Sequence, residues 1–356
     1  MDQFKTAATP FLKFDTKMIN VQGRPNLPAL TSLRFIAALL VLIFHYRHKE
    51  AVFSNGVSGF GYEAVAFFFI LSGFILTYTY TTPRGLNVSV RDFFVTRIAR
   101  IAPSYYLALA ITLPIFLVKG PWGAAPFVLT MTQAWVPPSA LAWTSPAWSL
   151  SNEMFFYLCY PAFYWLALRI NVVLFFFFAA ALLIATTILR DACFVGQEWH
   201  NFHDFFPLFN LPQFALGLAL GNLFLRGLVP THRAMLAAGL VAMVAILAHH
   251  EVNSWLKNTI LLSAIFSMII LGAAHSYSPI LGSAPLYLLG DASYSIYILH
   301  SPIGSWWNWA TVAFELHPVV DFVLYLVCVI VLSVAALHFV EKPGRRAIKK
   351  LHQTFF

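Results

Sequence analysis

Long apolar runs separated by short polar segments dominate this chain. Ten such runs can be drawn, near residues 30–47, 63–82, 101–118, 147–168, 172–190, 207–226, 234–250, 256–274, 287–312 and 320–340. A run such as "VVLFFFFAAALLIATTI" has roughly the length that crosses a hydrocarbon core about 30 Å thick. The pattern predicts an all-α fold, a polytopic membrane bundle of about ten transmembrane helices. It divides the chain into an N-terminal tail (1–29), one membrane domain (30–341) and a basic C-terminal tail (342–356). The longest connection, about 119–146, mixes apolar stretches with Pro, Gly and three Trp, and reads as a re-entrant or interfacial lid. Its aromatic rings serve either as interfacial anchors or as faces for a sugar ring.

Composition strengthens this reading. Of 356 residues 60% are hydrophobic and 10% charged, with 35 Phe and 10 Trp, more apolar surface than a soluble domain can hide. The first 27 residues contain scattered Lys, Asp and Pro without an apolar core, so no cleaved leader is expected. The three cysteines, Cys159, Cys193 and Cys328, lie far apart and give neither a metal-ligand spacing nor a disulfide framework. No metal site and no bound cofactor are expected.

A net charge of +8 raises the possibility of a nucleic-acid partner, and its placement argues against one. With a cytoplasmic N-terminus, 17 of the 22 Lys and Arg fall on inner segments and 5 on outer ones. This is the asymmetry that orients polytopic membrane proteins. Both termini are then cytoplasmic and the partner is the lipid bilayer.

Ionisable groups at membrane depth are costly and mark candidate sites. In "TSLRFIAALLVLIFHYRHKE", Arg34 and His45 bracket ten apolar residues. Eleven residues advance a helix by roughly 1100° and about 16–17 Å, so both side chains leave one face at different depths. The plain alternative is an arginine snorkelling to headgroups and a histidine at the outer interface. In "RDFFVTRIARIAP", Arg97 and Arg100 share a helix face. They form either a phosphate-binding fork or an ordinary positive flank. "WSLSNEMFFY" places Trp148, Ser149, Asn152 and Glu153 at the start of the fourth run, where a carboxylate needs a partner or a helix N-terminus. "LGDASYSIYILHSPI" carries Asp291 and then Ser293, Tyr297 and His300 along one stripe, which is either a polar-lined cavity or helix–helix glue. Ser72 and Gly73, inside "FFFILSGFILTY", read as small residues permitting close helix packing.

In this order, these segments resemble the membrane-bound acyltransferase 3 family from about residue 30 to 345. The resemblance is carried by Arg34 with His45, Phe68 to Phe74 ("FFILSGF"), Arg97 with Arg100, Trp148 with Glu153, Ser293 with Tyr297 and the following His300, and "VEKP" at the close of the last run. One departure is Ala66, where many members have an acidic residue.

The resemblance implies transfer of an acyl group, most often acetyl, from acyl-CoA to a carbohydrate hydroxyl, with acetyl-CoA as co-substrate rather than bound cofactor. It implies an exopolysaccharide, a lipid-linked sugar or another glycan as acceptor, and a bacterial inner (plasma) membrane location. It matches stand-alone members that carry no appended esterase-like domain. On this expectation Arg34, Arg97 and Arg100 bind the acyl-CoA phosphates, and His45 is the general base with Glu153 orienting it. Ser293, Tyr297, His300 and Trp148 position substrate. The alternative is a multi-span transporter or flippase whose pathway the same polar groups would line; the sequence contains no convincing internal repeat of the kind many such proteins have.

Overall fold

The computed structural model describes residues 24–46, 60–82, 85–86, 88–194, 202–229, 232–248, 255–275 and 278–355. The described chain is an all-α membrane helix bundle; its β structure is a two-residue antiparallel pairing of Thr81–Thr82 with Gly85–Leu86. The helices are α1 (Pro28–Tyr46), α2 (Ala64–Tyr80), α3 (Val90–Lys119), α4 (Trp148–Arg169), α5 (Val172–Phe194) and α6 (Pro207–Leu225). They continue with α7 (His232–Ala248), α8 (Trp255–His275), α9 (Ala284–Asp291), α10 (Ser293–Thr311), α11 (Pro318–Ala336) and α12 (Lys342–Phe355). Among the described residues, five helical segments are long and apolar enough to cross a membrane by length and composition, and three shorter apolar helices accompany them. Large side chains such as Phe177, Val241, Val244 and Val331 are exposed on the outside of α5, α7 and α11, as a lipid-facing surface requires.

Local sequence sets the helix ends. Ser89 caps α3 by accepting the Asp92 amide at 3.0 Å, and His317 precedes α11 with Pro318 in its first turn. Three departures from the sequence expectation follow. The third helix begins at Val90, well before residue 101, so Arg91, Arg97 and Arg100 are helical residues rather than a flank. The run at 287–312 is two helices, broken at Ala292 between α9 and α10. The last run passes through a π turn, Leu337–Glu341, and continues directly into α12.

The closest helix contact explains Gly73. A Cβ there would stand 2.1 Å from Phe214 O, and one on Gly217 would stand 1.9 Å from Ile70 O. α2 and α6 therefore touch backbone to backbone, the packing mode available to small residues in membranes. Gly290 does the same for α9, whose Cβ would meet Thr31 O of α1 at 2.1 Å. The connection at 119–146 is a string of short helical turns held on α3 and α4. Tyr105 OH donates to Val128 O at 2.6 Å, and Gln133 Nε2 donates to Ala147 O at 2.9 Å. Trp143 takes a positive φ of 70°, stacks on Phe116 with ring centroids 3.9 Å apart, and donates to Leu109 O. These contacts fix Ser145 over the far end of α1.

Candidate active site

Helices α1, α2, α3, α4, α9, α10 and α12 line a cavity of about 490 Å³. Basic residues crowd one end, where Arg34, Arg97, Arg100 and Arg345 line it, with Asp291 and Tyr287 beside them. Glu153, Tyr157, Ser72, Ser149 and Tyr297 line the remainder.

The arginines are not equivalent. Among the described residues Arg34 makes no hydrogen bond or ion pair, and its guanidinium looks into the cavity. Arg97 donates from Nη2 to Tyr80 OH at 2.7 Å and lies over the Tyr80 ring, while its Nε is buried without a partner. Arg100 Nη1 donates at 3.1 Å to Glu341 Oε1, which Arg345 also contacts. The other Glu341 oxygen accepts from Ser295 at 2.9 Å and Ser104 at 3.4 Å. Glu341 is fully buried, so this network satisfies a carboxylate that would otherwise be prohibitive inside the bundle. Asp291 is tied to Lys342 at 3.0 Å. Arg34 and Arg97 thus keep donors for a ligand, and Arg100 gives part of its charge to the fold.

Glu153 accepts from Tyr157 OH at 2.5 Å and from Ser72 Oγ at 3.2 Å. The expectation that it orients His45 is corrected: its hydrogen bonds go down and across the cavity, one turn along α4 and over to α2. Ser72, expected only to help helices approach, supplies one of those bonds; Gly73 alone makes the close contact.

His45 sits at the opposite end of α1, half-buried, beyond the cavity wall. Its Nδ1 lies 3.0 Å from Val41 O and 3.2 Å from His300 Nε2, and its Nε2 lies 3.5 Å from Ser145 Oγ. Between it and the cavity stands a hydrogen-bonded partition: Ser149 Oγ and Tyr297 OH are 2.7 Å apart, and each lies within reach of Pro146 O. Of the residues expected to position substrate, Tyr297 lines the cavity. His300 is fully buried against His45, Ser293 is buried with its Oγ unpartnered, and Trp148 lines a separate small cavity of about 30 Å³ with Tyr62 and Gln213.

Sequence reasoning missed Glu341, Arg345 and Ser145. Glu341 had a signal, an acid closing an apolar run in "LHFVEKP", but a π turn, which adds a residue to the helical repeat, decides where it points. Ser145 had none; its place depends on how the 119–146 connection folds back.

A cavity with a cationic end and a carboxylate, inside a membrane helix bundle, defines a membrane protein with a polar site within its bundle. The comparisons identify the group: residues 27–338 match the acyltransferase 3 family model, described as an acyltransferase domain, and the chain belongs to that family. It is 27% identical over 312 residues to the acyltransferase MdmB of Streptomyces mycarofaciens, covering 77% of this chain and 78% of that protein. It is 31% identical over 154 residues to protein 2 in the picA locus of Rhizobium radiobacter, covering 35% of this chain and 75% of that one. A third relative, YrhL of Bacillus subtilis (strain 168), described as "Putative peptidoglycan O-acetyltransferase", is 30% identical over 162 residues, 40% of this chain and 24% of its own length. No solved structure matches the chain. The protein is an acyltransferase.

Proposed function

We propose that this membrane protein transfers an acyl group, most simply acetyl, from cytosolic acyl-CoA to a hydroxyl of a carbohydrate acceptor. The observation that carries the reading is the cavity of about 490 Å³ with arginines at one end and, at the other, a hydroxyl partition behind which His45 stands. Acyl-CoA has matching polarity, with phosphates at one end and a thioester on a long arm. Arg34 and Arg97 hold the phosphates through forked, charge-assisted hydrogen bonds, and Arg100 adds its remaining donors. The arm lies along the cavity toward Ser149 and Tyr297. His45 takes the proton of the acceptor hydroxyl as that oxygen attacks the thioester carbonyl, and returns it to the departing thiolate. The C–S bond breaks as the new C–O bond forms, and CoA and the ester are the products. Tyr297 and Ser149, already hydroxyl donors at the partition, are placed to hydrogen-bond the developing oxyanion once they turn from one another.

Ten membrane crossings, drawn from the apolar runs, cytoplasmic termini, drawn from the distribution of Lys and Arg, and a bacterial inner membrane, implied by the family resemblance, complete the proposal. In it residues 30–341 form one catalytic membrane domain, to which α12 adds Arg345 at the basic end of the cavity, and the acceptor is an exopolysaccharide, a lipid-linked sugar or another glycan. The test is purified protein in detergent given acetyl-CoA and a panel of glycans. Acceptor-dependent release of free CoA, lost in His45→Ala, is expected. Acyl transfer that survives in His45→Ala removes the histidine from the reaction. A protein that moves glycans between vesicle compartments without releasing CoA is a transporter instead.

A further inference from the structure

With both imidazoles neutral, their contacts leave one consistent arrangement of protons. A carbonyl oxygen can only accept a hydrogen bond, so the ring nitrogen facing it is the donor. His300 Nδ1 lies 3.3 Å from Ile296 O and therefore carries the proton, which leaves a lone pair on Nε2. That Nε2 faces His45 Nδ1 at 3.2 Å, and His45 Nδ1 also faces Val41 O at 3.0 Å. A nitrogen set between two acceptors must be a donor. His45 therefore holds its proton on Nδ1 and presents a lone pair from Nε2, on the side where Ser145 Oγ lies 3.5 Å away.

We propose that His300 is a positioning residue, which by accepting from His45 Nδ1–H fixes the tautomer in which Nε2 is the base. The inference rests on the reading of His45 as that base and adds which nitrogen works and what holds it. It also reassigns His300 from substrate to base. His300 is suited to this because it cannot move: it is fully buried, and its own backbone oxygen accepts from Tyr325 OH at 2.9 Å. When Nε2 receives the acceptor's proton, the Nδ1–H bond to His300 becomes charge-assisted and shortens. A neutral imidazole then performs the task that a buried carboxylate performs in hydrolase triads, holding the base in one tautomer and steadying its cation. This removes the need for Glu153 to reach His45. It also places the acceptor hydroxyl at the Nε2 edge of His45, beside Ser145 and on the far side of the ring from α10.

The test has two independent readings on the full-length protein in detergent. Nitrogen-15 NMR of histidine-labelled protein, with the His45 signals assigned by their loss in His45→Ala, reports the tautomer without any turnover. Protonated Nδ1 and bare Nε2 at His45 are expected; the opposite tautomer overturns the proposal. For activity, His300→Leu keeps the volume and removes the acceptor, and His300→Gln restores a carbonyl oxygen. We expect His300→Leu to lower kcat by about 10²–10⁴-fold, the usual span for losing a working acid–base group, with the KM for acetyl-CoA unchanged. His300→Gln should recover at least about tenfold of that. If Leu performs as wild type and Gln does not, the ring merely fills space, and if KM alone moves, His300 touches substrate; either result overturns the proposal. Should His300→Leu fail to fold, the wild-type spectrum still decides. Activity retained in His45→Ala would instead sink the base assignment, while the spectrum would still judge the tautomer.

Discussion

Arg100 and Glu341, 241 positions apart in the chain, meet at 3.1 Å inside the bundle and join the middle of α3 to the turn after α11. Glu341 is fully buried and also serves Arg345, Ser295 and Ser104, so its carboxylate is the hub of the basic end. Removing it strands two guanidinium groups together. Because both are partly exposed, the loss on Glu341→Ala belongs near the lower end of the roughly 3–5 kcal/mol typical of breaking a buried pair. Thermal unfolding in detergent should show a clear drop in midpoint, with Glu341→Gln milder because it can still accept hydrogen bonds. Equal melting of Glu341→Ala and wild type would remove the hub from the account.

The split among the arginines gives a different signature in kinetics. Arg34 is open to the cavity and is not needed for any described ion pair. Arg34→Ala should raise the KM for acetyl-CoA about tenfold to a hundredfold, the value of one or two charge-assisted hydrogen bonds, at nearly unchanged melting temperature. Arg100→Ala should cost stability as well as affinity. A CoA dependence untouched by Arg34→Ala would return this residue to headgroup snorkelling.

His45→Ala should abolish acceptor-dependent CoA release while the protein stays folded and inserted, since the ring is only half-buried. Steady-state assays beside size-exclusion profiles make the distinction. An inactive but aggregated variant would speak only to structure, so His45→Gln, which retains size and polarity, is the companion measurement.

Most of the helices were legible in the sequence because length and apolarity alone decide whether a segment can lie in lipid. Arg34, Arg97, Glu153 and Tyr297 were legible as a set for the same reason: polar groups at that depth require a cavity, and they line one. Contacts between chain-distant residues were not. Nothing local in "SYSIYILH" says that His300 meets His45 rather than a substrate, because that depends on how α10 is rotated beside α1. Nor does "WSLSNEMFFY", which sets Tyr157 one helical turn from Glu153, say that Glu153 also meets Ser72 of α2. The π turn that swings Glu341 inward changes the helical repeat by one residue, and a pattern read at constant period passes over it.

Glu153 and Tyr157 share a hydrogen bond of 2.5 Å, and the Arg97 guanidinium lies 5.9 Å from the Tyr157 ring centre. The three therefore act as one unit on the cavity wall. Glu153→Gln and Tyr157→Phe should each lower kcat/KM, and the double variant should lose less than the product of the two effects, as expected for residues in one network. Independent effects that multiply would mean the bond seen here does not persist during turnover.

The contact between Gly73 and Gly217 tests how much of the site depends on packing far from its chemistry. Neither glycine is required by an unusual φ; both are required by closeness, since an added Cβ would overlap main-chain oxygens that cannot swing aside as a side-chain tip can. α2 carries Phe68, Ser72 and Ile75 on the cavity wall, so forcing α2 away from α6 moves that wall as well. Gly217→Ala should therefore destabilise by about 1–3 kcal/mol or more, the usual cost of overpacking, and reduce activity together with stability. Gly123→Ala is the control: nothing lies within 4 Å of a Cβ there, and both melting and turnover should stay at wild-type levels. If Gly217→Ala melted like the control, the two helices could separate without penalty and their close approach would not be what positions Ser72 against Glu153.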